Sequence, residues 1–532
     1  MSPTVLLKDQ SKQTLIRALL FTFGFGLVAH GYAFLHFQPS HDSLFEMFTD
    51  RGDWKIALGR YLKPVYDALF GYFASVPWTT GLVALFWMAL TAFLFCEILE
   101  IRRSWQIAVI CGILTTHISV IAMVATYMQD LGADMLALLF AMLGCWFWHK
   151  MTLLPAEKGK RKLVVMGVAA ACCLAASMAL YQAFICVFIT MVLIKSIVRI
   201  LQSTGSVWKE VLKDISAAAL TTIVGGGEYY LGLKAATHIA DVSLASGSYN
   251  SVTNLLDNSE PVTKRIQDCL HVFKQLLLQV PGYVYANAVP QTINLLLILL
   301  GAVCLAGIFL HLAKQQGALG NIVTALLLTA CLPLTMNGMR LLSHVVHLLM
   351  MYAFCLLYVF IFALVLRFAE IYKNQIVLRA VKGGAAILLF CIFFVNIQVA
   401  NAAYVKKTTE QTATLSVMTR VVDRIESLDG YEPGVTPVLF VGIPSTYLYD
   451  FSPFHQLSWI TGMYERSSVS YWSAYANYLH AIMKVDVNLM DESTGYAAVG
   501  QETIDSMPSF PQNGSIQEIN DVVVVKFPDL VV

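Results

Sequence analysis

Long apolar runs dominate the chain, and the polar intervals between them are short except over 37–76, 238–291 and 404–532. A helix needs about 20 consecutive apolar residues to cross the hydrocarbon core of a bilayer. Runs of that kind lie near 14–36, 77–99, 105–127, 134–149, 163–180, 182–200, 215–237, 292–312, 319–337, 345–367 and 383–403. The pattern predicts a polytopic α-helical membrane protein with about 11 spans in residues 1–403. The segment LVVMGVAAACCLAASMALYQAFICVFITMVLI is too long for one helix, so a tight turn is expected near Tyr181–Gln182.

The polar intervals have patterns of their own. From Trp54, apolar residues recur at Leu58, Tyr61, Leu62, Val65, Tyr66, Leu69 and Phe73, a helical stripe suited to the membrane interface or to packing on the bundle. The interval 238–291 opens on SLASGSYNSVTN and continues as a helix whose apolar face would carry Ile266, Leu270, Phe273 and Leu277, up to Pro281-Gly282. Residues 404–532 read as a small soluble α/β domain. Its elements are a helix around 412–428, a buried strand at Val438–Val441, a Gly442/Pro444 turn, a helix around 470–483 and a last strand in DVVVVKF.

Composition sharpens this picture. The 532 residues are 57% hydrophobic and 13% charged, against about 25% charged in globular chains. A net charge of +1 gives no electrostatic footprint for a nucleic acid. Most of the 11 cysteines lie inside apolar runs, where a thiol acts as a small hydrophobe, and no disulfide framework is expected. The first apolar run is too long for the core of a cleavable signal and lacks a small-residue cleavage site. Lysine and arginine then orient the spans. Lys8, Lys12, Arg17, Arg102, Arg103, Lys160, Arg161, Lys162, Lys195, Arg199, Arg367 and Arg379 fall on one side, which the positive-inside bias assigns to the cytoplasm. The N-terminus is then cytoplasmic, and an odd number of spans puts residues 404–532 outside, beside 37–76, 128–133 and 238–291.

Candidate chemistry concentrates in those outer segments. Residues 37–64 hold His41, Asp42, Glu46, Asp50, Arg51, Asp53 and Arg60, a mixture suited to an anionic, hydroxyl-rich ligand, or to an ordinary solvated loop. An Asp can act as a base toward a hydroxyl, and an Arg fork matches a phosphate. Asp130 and Asp134 flank the third and fourth spans; four apart, they are also suited to capping a helix, the reading favoured for Asp134 over a catalytic one. Oxygen ligands of that type would take Mg or Mn, but no spacing here specifies a metal site. Glu228 follows three glycines inside the seventh span and would line a cavity or make a buried pair, and Tyr181 and Gln182 join it as cavity candidates. Arg340 and His344, four apart, share a helical face and are candidates for holding a phosphate or anchoring the interface. His117 reads as a hydrogen-bonded core residue. Tyr447, Tyr449, Trp459, Tyr464, Tyr471, Trp472, Tyr475 and Tyr478 suit either a domain core or sugar stacking.

SHDSLFEMFTDRGDWKIALGRYLKPVYDALFG, PWTTGLVALFWMAL, THISVIAMVATYMQDLGADMLALL, SMALYQAF, MRLLSHVVHLLMMYAF and VLFVGIP occur in this order. Together they resemble the polytopic bacterial glucosyltransferases of the serotype-converting O-antigen type, a branch similar to the GT-C membrane glycosyltransferases. The resemblance implies transfer of a hexose from a polyprenyl-phosphate donor to a surface glycan at the outer face of the bacterial inner membrane. It implies a catalytic aspartate in the first outer loop, at Asp42 with Asp53 as second choice, and a second acidic position at Asp130 or Asp134. Arg51, Arg60, Arg340 and His344 would hold the donor phosphate, while His41, Asp134, Tyr181, Gln182 and Glu228 would line the acceptor side. Many members with lipid-phosphate donors need no metal. The rivals are a flippase for lipid-linked saccharides, which would be expected to show repeats and midplane charge, and a glycan polymerase or ligase using a diphosphate-linked oligosaccharide.

Overall fold

The structure, a computed structural model, describes residues 3–528 apart from 41, 45–50, 75, 155–158, 247–259, 279–288, 316, 344, 452, 454–456, 464–465 and 473. These residues form two compact units: one of residues 1–34, 51–123 and 130–400, the other of 35–50, 124–129 and 401–532.

The first unit is all helical. Its helices are α1 (Pro3–Leu35, whose last residue belongs to the second unit), α2 (Gly52–Ala57), α3 (Lys63–Ala74), α4 (Pro77–Ile98), α5 (Ser104–Thr116) and α6 (Ile118–Thr126, which belongs to the second unit from Val124). They continue as α7 (Leu131–Thr152), α8 (Lys160–Leu180), α9 (Ile185–Gln202), α10 (Trp208–Ala240), α11 (Val262–Leu278), α12 (Gln291–Leu312), α13 (Ala318–Met336), α14 (Gly338–Leu342) and α15 (Cys355–Ile371). The last, α16 (Gln375–Glu426), belongs to the first unit as far as Ala400 and to the second from Asn401.

Among the described residues, 9 helices are long and apolar enough to cross a membrane, or up to 10 when the bent pair α5–α6 counts as one span. The pair bends by 43° at His117, a buried residue whose Nδ1 accepts from the Ser119 amide (3.3 Å). The remaining expected span, 215–237, falls on α10. At 33 residues α10 is long enough, but three glycines, Glu228 and Lys234 keep it below the apolarity of the others. The expected turn after α8 is present: Tyr181 is extended and Gln182–Phe184 is a single 3-10 turn leading into α9.

Hydrogen bonds between helices distant in sequence give this unit two ends. At one, Ser11 of α1 bonds Glu97 of α4 (3.2 Å), Asn321 of α13 bonds the Gly205 carbonyl after α9 (2.8 Å), and Arg367 of α15 reaches the Leu201 carbonyl (2.9 Å). At the other, Thr190 of α9 meets Thr335 of α13 (3.1 Å), and Tyr352 donates to the Leu114 carbonyl (3.0 Å). Helix α10 runs the whole distance. Its Asp214 carbonyl accepts from Trp148 at the end of α7 (2.9 Å), and its Tyr229 reaches Gly59 (3.0 Å). Close passage of α10 against α8 requires Gly225, where a Cβ would stand 2.9 Å from the Ala171 carbonyl oxygen.

Two expected elements differ. The stripe from Trp54 to Phe73 is not one helix. It breaks into α2 and α3 at Gly59, whose φ of +79° is cheap only for glycine. The helix expected through Ile266, Leu270, Phe273 and Leu277 exists as α11 but is turned so that only part of the expected face is covered. Of the expected face, Leu277 is buried and Phe273 half-buried, whereas Ile266 and Leu270 are exposed and Cys269, Val272, Gln275 and Leu276 are buried with Leu277. Arg265 and Asp268 bond to the segment around α14, and these polar contacts set the rotation.

The second unit holds a four-stranded sheet in the order β2-β1-β4-β3: β1 (Pro437–Val441), β2 (Asn488–Leu489), β3 (Ile516–Ile519) and β4 (Val522–Lys526). β1 is parallel to β2 and β4, with Val438 opposite Val523, and β3 is antiparallel to β4. Val438, Phe440, Val523 and Val525 face Val417 and Val421 of α16 and the buried Tyr475 and Tyr478. Leu439, Val441, Val522 and Val524 face Val499, Ile504 and Met507. Both faces are covered, and for that reason the strands read as unbroken apolar runs. The aromatic residues divide accordingly: Tyr475 and Tyr478 are core, while Tyr449 is 88% exposed.

Candidate functional site

The first unit places a charged cluster at the end where α3, the start of α7 and the α8–α9 turn meet. Lys63 Nζ lies 2.8 Å from Asp130 Oδ2 and 3.0 Å from Asp134 Oδ1. Lys55 Nζ lies 3.1 Å from Asp130 Oδ1 and 2.9 Å from Asp67 Oδ2. Three carboxylates thus share two ammoniums. The Lys63, Asp130 and Asp134 side chains are 1–3% exposed, while Asp67 is 28% exposed. Burial pushes the Asp67 carboxyl up from its ordinary value, against the pull of Lys55. The Lys63–Asp134 contact is an ion pair without hydrogen-bond alignment.

Local sequence explains the placement. Lys63 opens α3 and Asp67 lies one turn on, while Asp130 and Asp134 lie one turn apart across the start of α7, so the two pairs present matching spacings. Gly132, on the first turn of α7, has the Tyr66 hydroxyl where a Cβ would stand, which lets α3 seat closely. Burial also raises the Tyr66 phenol, to about 12.

The turn between α2 and α3 carries Arg60, and hydrogen bonds to its backbone hold it from four places. Gln182 Nε2 donates to the Leu58 carbonyl (2.9 Å) and Tyr229 Oη to that of Gly59 (3.0 Å). The Ala245 amide donates to the Ala57 carbonyl (3.0 Å), and the Leu62 amide to that of Ala179 (3.0 Å). The Arg60 guanidinium lies over the Tyr181 ring, 5.2 Å from its centre, and Tyr61 stacks on Tyr229 at 5.9 Å. Tyr181 and Gln182 therefore shape the Arg60 turn, one with its ring face and the other with its amide.

The other sequence candidates are dispersed. Asp53 is exposed on the first turn of α2, and Arg51 precedes that helix. Glu228 is half-buried on α10, one residue before Tyr229. Arg340, on α14, pairs with Glu260 (3.0 Å) and Asp268 and donates to the Ser343 carbonyl (3.0 Å), so its charge is met inside this unit. The hydrogen bond from Lys264, with help from Arg340, holds the Glu260 carboxyl down at about 2. Asp42 belongs to the second unit. It is half-buried at the start of residues 42–44, beside Ser40 and Ser43, whose hydroxyls donate to the Thr126 carbonyl (2.6 and 3.2 Å). His41 and His344 lie outside the described residues.

Lys55, Lys63 and Asp67 are the residues that sequence reasoning missed. Their signal was present in the spacing of Lys63 and Asp67, four apart like Asp130 and Asp134. Among the described residues no group of three or more His, Cys, Asp or Glu side chains is arranged to hold a metal ion. At Asp130 the two lysine ammoniums already occupy both carboxylate oxygens.

The sequence profile of the glucosyl transferase GtrII family matches residues 31–362, which take in this cluster, the Arg60 turn and α14. The chain belongs to the glucosyl transferase GtrII family. It is accordingly a membrane-type glycosyltransferase, with a sugar donor and a glycan acceptor as its substrates. No curated protein matches the chain.

Proposed function

We propose that this GtrII-family chain transfers glucose from a polyprenyl-phosphate donor to a surface glycan of the O-antigen type, at the outer face of the bacterial inner membrane. The observation that carries this reading is the segregation of charge along the first unit. Lys55, Arg60, Lys63, Asp67, Asp130 and Asp134 gather at one end, and Arg102, Arg103, Lys195, Arg199 and Arg367 lie toward the other. A bias of that kind favours the arginine-rich end in the cytoplasm. It leaves the carboxylate cluster where an isoprenoid phosphate would rest at the outer headgroups.

In this reading Asp42 is the base that the family resemblance assigns. It takes the proton of an acceptor hydroxyl as that oxygen bonds to the anomeric carbon of the sugar. The bond from that carbon to the phosphate oxygen breaks, and the polyprenyl phosphate leaves with its electron pair. Arg60 and Arg51 would meet the charge developing on that phosphate, the kind of donor set that stabilises a leaving anion. The buried Lys63–Asp130 network fixes the segment that carries Arg60. Asp130, with both oxygens occupied, acts as a positioning residue.

The test supplies purified protein in lipid with polyprenyl-phosphate glucose and follows free polyprenyl phosphate. Its release with glucosylated acceptor is expected, and Asp42→Asn should slow it about 10²–10⁴-fold with expression and insertion intact. Full activity of Asp42→Asn would remove that residue from the chemistry. Turnover only of a diphosphate-linked oligosaccharide would make the chain a polymerase or ligase instead.

A further inference from the structure

At the end of the first unit remote from the Lys63–Asp130 cluster lies a cavity of about 540 Å³, inside the range of about 300–1,000 Å³ typical of small-ligand sites. Its walls come from the loop between α4 and α5, the ends of α9 and α15 and the first part of α16. Four cationic side chains line it, Arg102, Arg103, Arg367 and Lys382, against two carboxylates, Glu100 and Glu370. Both carboxylates are already engaged: Glu100 with Lys195 (3.1 Å) and Glu370 with Arg367 (2.9 Å). Arg102 is engaged by Glu97. Arg367 is fixed in place, its Nε bound to the Leu201 carbonyl (2.9 Å). Among the described residues, the exposed Arg103 and Lys382 make no ion pair, so the cavity carries two uncompensated positive charges at its rim.

The surroundings point to where the matching anion comes from. Trp105 lines the cavity, is 49% exposed and packs edge-on against Phe362 at 5.8 Å, as an aromatic at a membrane–water boundary does. The cavity therefore opens at the junction of apolar helix surface and basic loop. Basic pockets between spans in that position recognise anionic lipid headgroups. We infer that this cavity is a binding site for the phosphate-bearing headgroup of an anionic phospholipid, with Arg103 and Lys382 holding the phosphate and Trp105 lying beside the upper acyl chains. The site is separate from the transferase cluster and does not depend on the donor proposed above.

The experiment is native mass spectrometry of the full chain released from bilayer discs of phosphatidylglycerol, phosphatidylethanolamine or a mixture, alongside titration of inorganic phosphate in detergent. The wild-type chain is expected to retain phosphatidylglycerol in preference to phosphatidylethanolamine. The double variant Arg103→Gln/Lys382→Gln should bind phosphatidylglycerol about thirtyfold less tightly, at about fivefold for each juxtamembrane cation. Replacing exposed Lys160 and Arg161, which do not line the cavity, by Gln should leave retention unchanged. Equal retention by wild type and the Arg103/Lys382 variant would overturn the proposal. So would inorganic phosphate binding through the same two residues as tightly as the lipid, which would assign the cavity to a soluble anion.

Discussion

Two charge clusters in the first unit use the same residue types under different conditions. Around Lys63, three carboxylates share two ammoniums, and the Lys63, Asp130 and Asp134 side chains are 1–3% exposed. Around Arg340, one guanidinium meets Glu260 and Asp268, which stay 19% and 31% exposed. The difference is one of solvent. Water can take over the Glu260 or Asp268 charge when its partner is lost. The Asp130 side chain is buried, so each charge there depends on its partner. The first arrangement therefore rigidifies the segment that carries Arg60, and the second tethers a peripheral helix.

The comparison can be broken at the buried cluster first. Lys63→Met takes the ammonium from the buried Asp134 and leaves Asp130 with Lys55 alone, and should cost about 3–5 kcal/mol of stability, read from thermal unfolding in detergent. A loss below about 1 kcal/mol would mean that water reaches these acids. Gly132→Ala forces Tyr66 away from the start of α7 and should cost about 1–3 kcal/mol by the same assay, with transferase activity falling alongside. At the exposed cluster, Arg340→Met should cost only about 1–2 kcal/mol, because Glu260 and Asp268 regain hydration. A cost equal to that of Lys63→Met would erase the distinction.

Acid titration gives the smallest effect and separates the clusters by sign. Glu260 is held near 2, below its ordinary 4.5, so it contributes stability above pH 4.5 that is lost as pH falls toward 2. Asp67 is raised by burial, so its contribution runs the other way, largest at low pH and declining as pH rises above the ordinary carboxylate value. The gap in melting temperature between wild type and Glu260→Gln should close from pH 6 to pH 2. The gap between wild type and Asp67→Asn should shift in favour of wild type over the acid range. Parallel behaviour of the two variants would show that both sites are equally hydrated.

What the sequence determined by itself is whatever depends on local pattern. Runs of apolar residues are long enough to define most spans, because a bilayer demands length and apolarity from each segment separately. The turn at Tyr181–Gln182 followed from length alone, and the strands 437–441 and 522–526 from unbroken runs of branched and aromatic residues. The tertiary structure decided what depends on distant partners. Lys55 and Asp130 are 75 residues apart, and no local rule pairs them. Whether Arg340 serves a ligand or a neighbouring carboxylate was equally invisible, since Glu260 and Asp268 reach it only once α11 has docked. Glycine at 59 broke an apolar stripe that periodicity alone made continuous, and α11 settled with Ile266 and Leu270 outward and Cys269, Val272 and Leu276 inward. Charge pairing and helix rotation are set by proximity in space, which only the packed chain supplies.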